Sequence, residues 1–183
     1  MYYMGVKKRS ELVDSSNFFT ELIDLDKTSI NVLLVYFARP QEMWKYLFEA
    51  DSEELRKNSD KILNIRLASL GSFNTDLAWA DTIYFSGGDG PLLTGILSQF
   101  PELKDKLSDK VVGAISAGVN ALSKYYYSRK GEKVLVGLGI LNKKVFTHFE
   151  DSLTEELREL DNYGEELEVL TLPEGEFLVL EVD

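Results

Sequence analysis

Apolar positions along this chain come in two rhythms. Ile30-Asn31-Val32-Leu33-Leu34-Val35-Tyr36-Phe37 is a nearly continuous apolar run, the pattern of a strand buried on both faces. Gln41 to Leu55 follows with Met43, Trp44, Leu47 and Phe48 at helical spacing. The alternation continues. Ile62 to Ala68 reads as a strand, Thr75 to Ala80 as a short helix and Thr82 to Phe85 as a strand. Pro91 to Phe100 reads as a helix with its proline in the first turn, Val111 to Ile115 as a strand and Ala117 to Tyr125 as a helix. Val145 to His148 ends another strand. Ser152 to Leu160 reads as a helix with Ser152 as N-cap and Glu155 completing a capping box. Glu168 to Thr171 and Phe177 to Val182 close the chain as strands.

Alternating β and α elements predict an α/β fold, a mostly parallel sheet with helices on both faces. In such sheets ligands sit beyond the carboxyl ends of the strands. The loops after Phe37, Phe85, Ile115 and His148 are therefore the ones to watch. The chain has 183 residues, 44% of them hydrophobic, and no Pro/Gly/Ser linker or internal repeat, so one domain over residues 1–183 is expected.

Charge and composition remove several function classes. The net charge of −11 gives no basic footprint for nucleic acid or an anionic membrane, and Lys7-Lys8-Arg9 is the longest basic run. Cysteine is absent, which excludes disulfides, thiolate metal sites and a cysteine nucleophile. The start of the chain is not a basic region followed by an apolar one, and the apolar runs are too short to span a bilayer. A cytoplasmic protein, monomer or homodimer, is the expectation. His148 is the sole histidine, so a metal site would rest on one imidazole plus carboxylates, and a histidine base has one candidate.

The sharpest local motif is Gly113-Ala114-Ile115-Ser116-Ala117-Gly118. A β run ends at Ser116 and a helical stretch begins at once, the context of a nucleophile elbow. Such a turn is tight, so the residues two before and two after the nucleophile must be small; here they are Ala114 and Gly118. The serine hydroxyl would point out over the strand ends, and the N–H of Ala117 would be free to serve an oxyanion. The bland alternative is a serine that merely caps a helix.

A glycine turn, Ser86-Gly87-Gly88-Asp89-Gly90, also lies between a strand and a helix. Glycines let backbone N–H groups approach a ligand, and Gly88 is the candidate second oxyanion donor. A phosphate cradle is the rival, but the turn lacks the P-loop lysine and carries Asp89, which would repel phosphate.

A serine nucleophile needs a base, and the base needs an acceptor on its other nitrogen. A lone histidine among apolar residues is more often structural than catalytic, but His148, at a strand end, is the one candidate base. Glu132, the one acid between Ser116 and His148, sits in a polar turn. After His148 both Glu150 and Glu174, in Leu172-Pro173-Glu174-Gly175, are candidates, and sequence physics does not rank them.

Taken in order, Gly87-Gly88-Asp89, Ser116-Ala117-Gly118, Gly137-Leu138-Gly139 leading to His148-Phe149, and Leu172-Pro173-Glu174-Gly175 resemble the peptidase E family of serine dipeptidases, which includes the aspartyl dipeptidases and is related to cyanophycinases. The resemblance covers about the last hundred residues, in a chain shorter than typical members. It implies a three-layer α/β/α sandwich like the class I glutamine amidotransferase domain. Ser116 would be the nucleophile, His148 the base and Glu174 the acid, with Gly88 and Ala117 as the oxyanion hole. The implied reaction is hydrolysis of a small peptide or amide through an acyl-enzyme, with no metal or cofactor. The glycine turn departs from the family's Gly-Gly-Gly-Asn-Thr by carrying Asp89, a candidate substrate contact, and the segment after the elbow is short and aromatic. An acidic substrate would need a cation; Arg39 and Arg129 lie in loops within reach, but neither matches a family motif. These departures keep a second expectation open, a catalytically silent relative that binds a small ligand or a partner through the same pocket. A flavodoxin-like binder of a phosphorylated ligand is the third.

Overall fold

The computed structural model describes residues 3–4, 18–57 and 59–180. Two sheets organise it. The first has five strands in the order β1 (Tyr3–Met4), β5 (Val111–Ala114), β4 (Thr82–Phe85), β2 (Ser29–Val35) and β3 (Ile62–Leu67), and every neighbouring pair is parallel. The second has four strands, β7 (Lys133–Val136), β6 (Ser123–Ser128), β8 (Leu141–Thr147) and β9 (Val169–Leu172); β6–β8 and β8–β9 are parallel and β6–β7 antiparallel.

Strand periodicity splits the apolar run of β2 between two layers. Leu33 and Val35 join Ile83, Phe85, Val112 and Ala114 on one face. They pack there against α3 (Phe73–Trp79), α4 (Gly90–Leu97), α5 (Leu103–Leu107) and α6 (Ala117–Leu122). Ile30, Val32 and Leu34 point the other way, towards α1 (Phe18–Leu22) and α2 (Trp44–Lys57). Both faces of the sheet are thus covered by helices, and the run is apolar because it has no solvent face. The smaller sheet repeats the logic: Val145 and Leu170 belong to the cluster shared with the first sheet, whereas Phe146 turns to Tyr127, Val134 and Leu160 of α7 (Thr154–Asn162). The result is the α/β sandwich with a mostly parallel central sheet that the alternating pattern predicts.

Several boundaries differ from the sequence expectation. The helix after the elbow stops at Leu122, not Tyr125, because Ser123 turns extended and its hydroxyl bonds back to the carbonyl of Asn120. Tyr125, Tyr126 and Tyr127 then form a strand, as their β propensity favours. The Ser152 capping box does not form. Leu153 takes the N-cap position of α7, where its apolar side chain packs beside Phe146 and Leu160. Of Phe177–Val182, only Val179 and Leu180 make isolated β-bridges; residues 181–182 lie outside the described residues. No described helix is long and apolar enough to cross a membrane.

Candidate active site

Register brings the site together. Val35 pairs with Phe85 and Phe85 with Ala114, so β2, β4 and β5 end level and release their loops at one edge. Ser116 sits two residues past β5 with φ 48° and ψ −103°, a conformation that L-residues seldom adopt. This is the strained turn of an elbow, and close packing enforces it. A Cβ on Gly118 would lie 2.6 Å from the carbonyl oxygen of Phe85 and 3.2 Å from the Ala114 Cβ. Although Ser116 holds the N-cap position of α6, its side chain makes no capping bond. Its Oγ instead lies 2.8 Å from His148 Nε2.

His148 follows β8 directly and, like Ser116, is left-handed, with φ 56°. The parallel pairing of β8 with β9 decides which acid reaches it. Thr147 is in register with Leu172, and the Phe149 N–H donates to the Leu172 carbonyl, so the turn Pro173-Glu174-Gly175 emerges beside the imidazole. Glu174 Oε2 contacts His148 Nδ1. With Nδ1–H donating to that carboxylate, the Nε2 lone pair is left for the Ser116 hydroxyl. Glu150 is engaged elsewhere, 3.1 Å from Arg129 Nη1. The Glu174 side chain is 82% exposed and His148 41%, so water has access to this contact.

Gly88 completes the floor. Its φ is 147°, and a Cβ there would lie 2.2 Å from the Ala38 carbonyl oxygen, so the turn needs glycine at this position. Among the described residues neither the Gly88 N–H nor the Ala117 N–H has a hydrogen-bond acceptor. Asp89 is the N-cap of α4: its carboxylate accepts from the Leu92 N–H at 2.9 Å and lies 3.5 Å from Lys130 Nζ. Arg39 lies behind the glycine turn, its Nη2 3.5 Å from where a Gly87 Cβ would be, and its buried Nε has no partner among the described residues. No group of three or more described His, Asp or Glu side chains is arranged to hold a metal ion.

Two features escaped the sequence reading. Arg129 Nη1 donates to the His148 carbonyl at 3.1 Å, a long-range contact that no spacing announces. Phe18 and Phe19 line a cavity at Ser116 together with Phe177; the adjacent aromatic pair was the available signal.

The fold and this cluster define an α/β sandwich with a Ser–His–Glu constellation at its strand ends. No family model and no curated protein matches the chain. Among solved structures it is similar to the "Putative Peptidase E Protein" of Listeria monocytogenes EGD-e, with TM-score 0.61 and 17% identity, over 93% of this chain and 89% of that one. The fold is therefore peptidase E-like.

Proposed function

We propose that this chain is a serine-type peptidase that hydrolyses short peptides through an acyl-enzyme on Ser116. The observation that carries the reading is the continuous contact Ser116 Oγ–His148 Nε2, His148 Nδ1–Glu174, beside two uncommitted backbone N–H groups.

In this mechanism the Ser116 hydroxyl gives its proton to His148 Nε2 as Oγ bonds to the scissile carbonyl carbon. Glu174 holds the imidazole tautomer and offsets the charge of the imidazolium. The Gly88 and Ala117 N–H groups receive the oxyanion. When the C–N bond breaks, Nε2 hands its proton to the leaving amine. A water then gives a proton to Nε2 and adds to the acyl carbon, and the ester C–O bond breaks with the proton returning to Ser116.

A fluorophosphonate probe tests the reading. A single adduct on Ser116, located by mass spectrometry and lost in Ser116→Ala and His148→Ala, is the expected result. No adduct on folded protein overturns it in favour of a silent ligand-binding relative, a reading that the exposure of Glu174 favours.

A further inference from the structure

Ser116 and His148 stand on the wall between two cavities of opposite character. The first, about 380 Å³, is walled by Phe18, Phe19, Val119, Pro173 and Phe177. Glu174 and Glu176 stand at it, and no cation is among its described lining residues. The second, about 570 Å³, lies on the Gly88 side and is lined by Arg129, Lys130 and Lys133, with Asp89 as its one acid among the described residues. Both volumes fall in the range of about 300–1,000 Å³ typical of small-ligand sites.

The charges are not all available. Glu174 is occupied by His148, and Arg129 by the His148 carbonyl and Glu150. Glu176 and Lys133 form no ion pair with any described residue. An unpaired carboxylate thus lies on one side of the nucleophile and an unpaired ammonium on the other.

A short peptide with free ends is a zwitterion, and cleavage divides it. The acyl half of a dipeptide carries the ammonium and the leaving half carries the carboxylate. We infer, on the reading that Ser116 is the nucleophile, that this site takes dipeptides with an apolar first side chain. That side chain fills the aromatic cavity, the free amino group meets Glu176, and the terminal carboxylate meets Lys133 with Lys130 beside it. The reverse placement would set the carboxylate against two glutamates in an apolar cavity, which costs free energy on both counts. An acidic first residue would meet the same glutamates and no cation.

Hydrolysis of Leu-Ala, Phe-Ala, Asp-Ala and N-acetyl-Leu-Ala by the full chain, read by chromatography of the released alanine, tests this beside fluorophosphonate labelling. Leu-Ala and Phe-Ala should exceed Asp-Ala in kcat/KM by about tenfold or more. N-acetylation should cost about as much as that. Glu176→Gln, at an exposed position, should raise KM for Leu-Ala several-fold, keep kcat, and leave N-acetyl-Leu-Ala unchanged. Equal turnover of Asp-Ala, indifference to acetylation, or a Glu176→Gln effect shared by both leucyl substrates overturns the inference while the serine peptidase reading stands. A Ser116 adduct without hydrolysis of any of the four does the same. Neither adduct nor hydrolysis overturns both.

Discussion

Arg129 Nη1 donates to the backbone carbonyl of His148 at 3.1 Å and also lies 3.1 Å from Glu150 Oε1. One guanidinium thus ties the end of β6 to the left-handed residue that carries the proposed base, whose φ is 56°. Arg129→Ala should slow fluorophosphonate labelling of Ser116 about tenfold while the melting temperature changes little, since the pair is largely exposed. Arg129→Lys should restore part of the rate. A small neutral probe reads this alone, because it has no carboxylate for the neighbouring cations. Unchanged labelling in the alanine variant would show that β8 holds the base without help.

Glu174 and Glu150 should separate cleanly. Glu174→Gln removes the negative charge at Nδ1 and offers an amide N–H that favours the wrong imidazole tautomer, and should lower the labelling rate about a hundredfold or more. Glu150→Gln leaves the tautomer in place and should cost about threefold at most, through Arg129. The opposite ranking would reassign the acid.

Gly88→Ala should damage fold and site together. The added carbon would lie 2.2 Å from the Ala38 carbonyl oxygen on a backbone with φ 147°. Denaturant titration should give a loss of at least about 2 kcal/mol. A variant of native stability would mean that the turn rearranges, and the Gly88 N–H would then be the wrong candidate for the oxyanion.

Acid sensitivity of the fold should trace partly to Asp81, far from Ser116 at the opposite ends of the strands. Burial pushes its carboxyl up, but bonds from Lys27 Nζ at 2.6 Å and the Asn31 N–H at 2.9 Å, with the charge of Lys110, hold it below the ordinary value. A lowered folded pKa means that the unfolded chain binds the proton more readily. The contribution is therefore present above the ordinary carboxylate range and is lost as pH falls through the folded value. Asp81→Asn should lower stability at neutral pH by about 1 kcal/mol or less, with Lys27 exposed, and the difference from wild type should shrink below about pH 4. Labelling of Ser116 should not change.

The central strands were legible because burial on both faces leaves an apolar run with no polar alternation; Thr82–Phe85 falls where its residues predict. The tight turn at Ser116 was legible because it needs small residues at fixed positions, here Ala114 and Gly118. Which of Glu150 and Glu174 touches the imidazole was not, because the register of Thr147 with Leu172 decides it, and register is a property of two strands. β7 went unread for a related reason. Only Val134 of Lys133–Val136 is buried, so the segment lacks a clear apolar face and is ordered by pairing with the tyrosines of β6. For Phe18 and Phe19 the adjacent aromatic pair was the one local signal, and it does not say where α1 docks, which is what brings them to the cavity.

The backbone of Ser116, at φ 48° and ψ −103°, sets the chemistry proposed for this site against the durability of the fold. A side chain held in such a region costs about 1–3 kcal/mol, and glycine would relieve it, giving back only about 0.5–1 kcal/mol through its freer unfolded chain. Ser116→Gly should therefore melt at a higher temperature than the native protein while having no hydroxyl to react. Selection for thermal endurance alone would favour glycine at this turn, so the proposed chemistry and a more durable fold compete for one position.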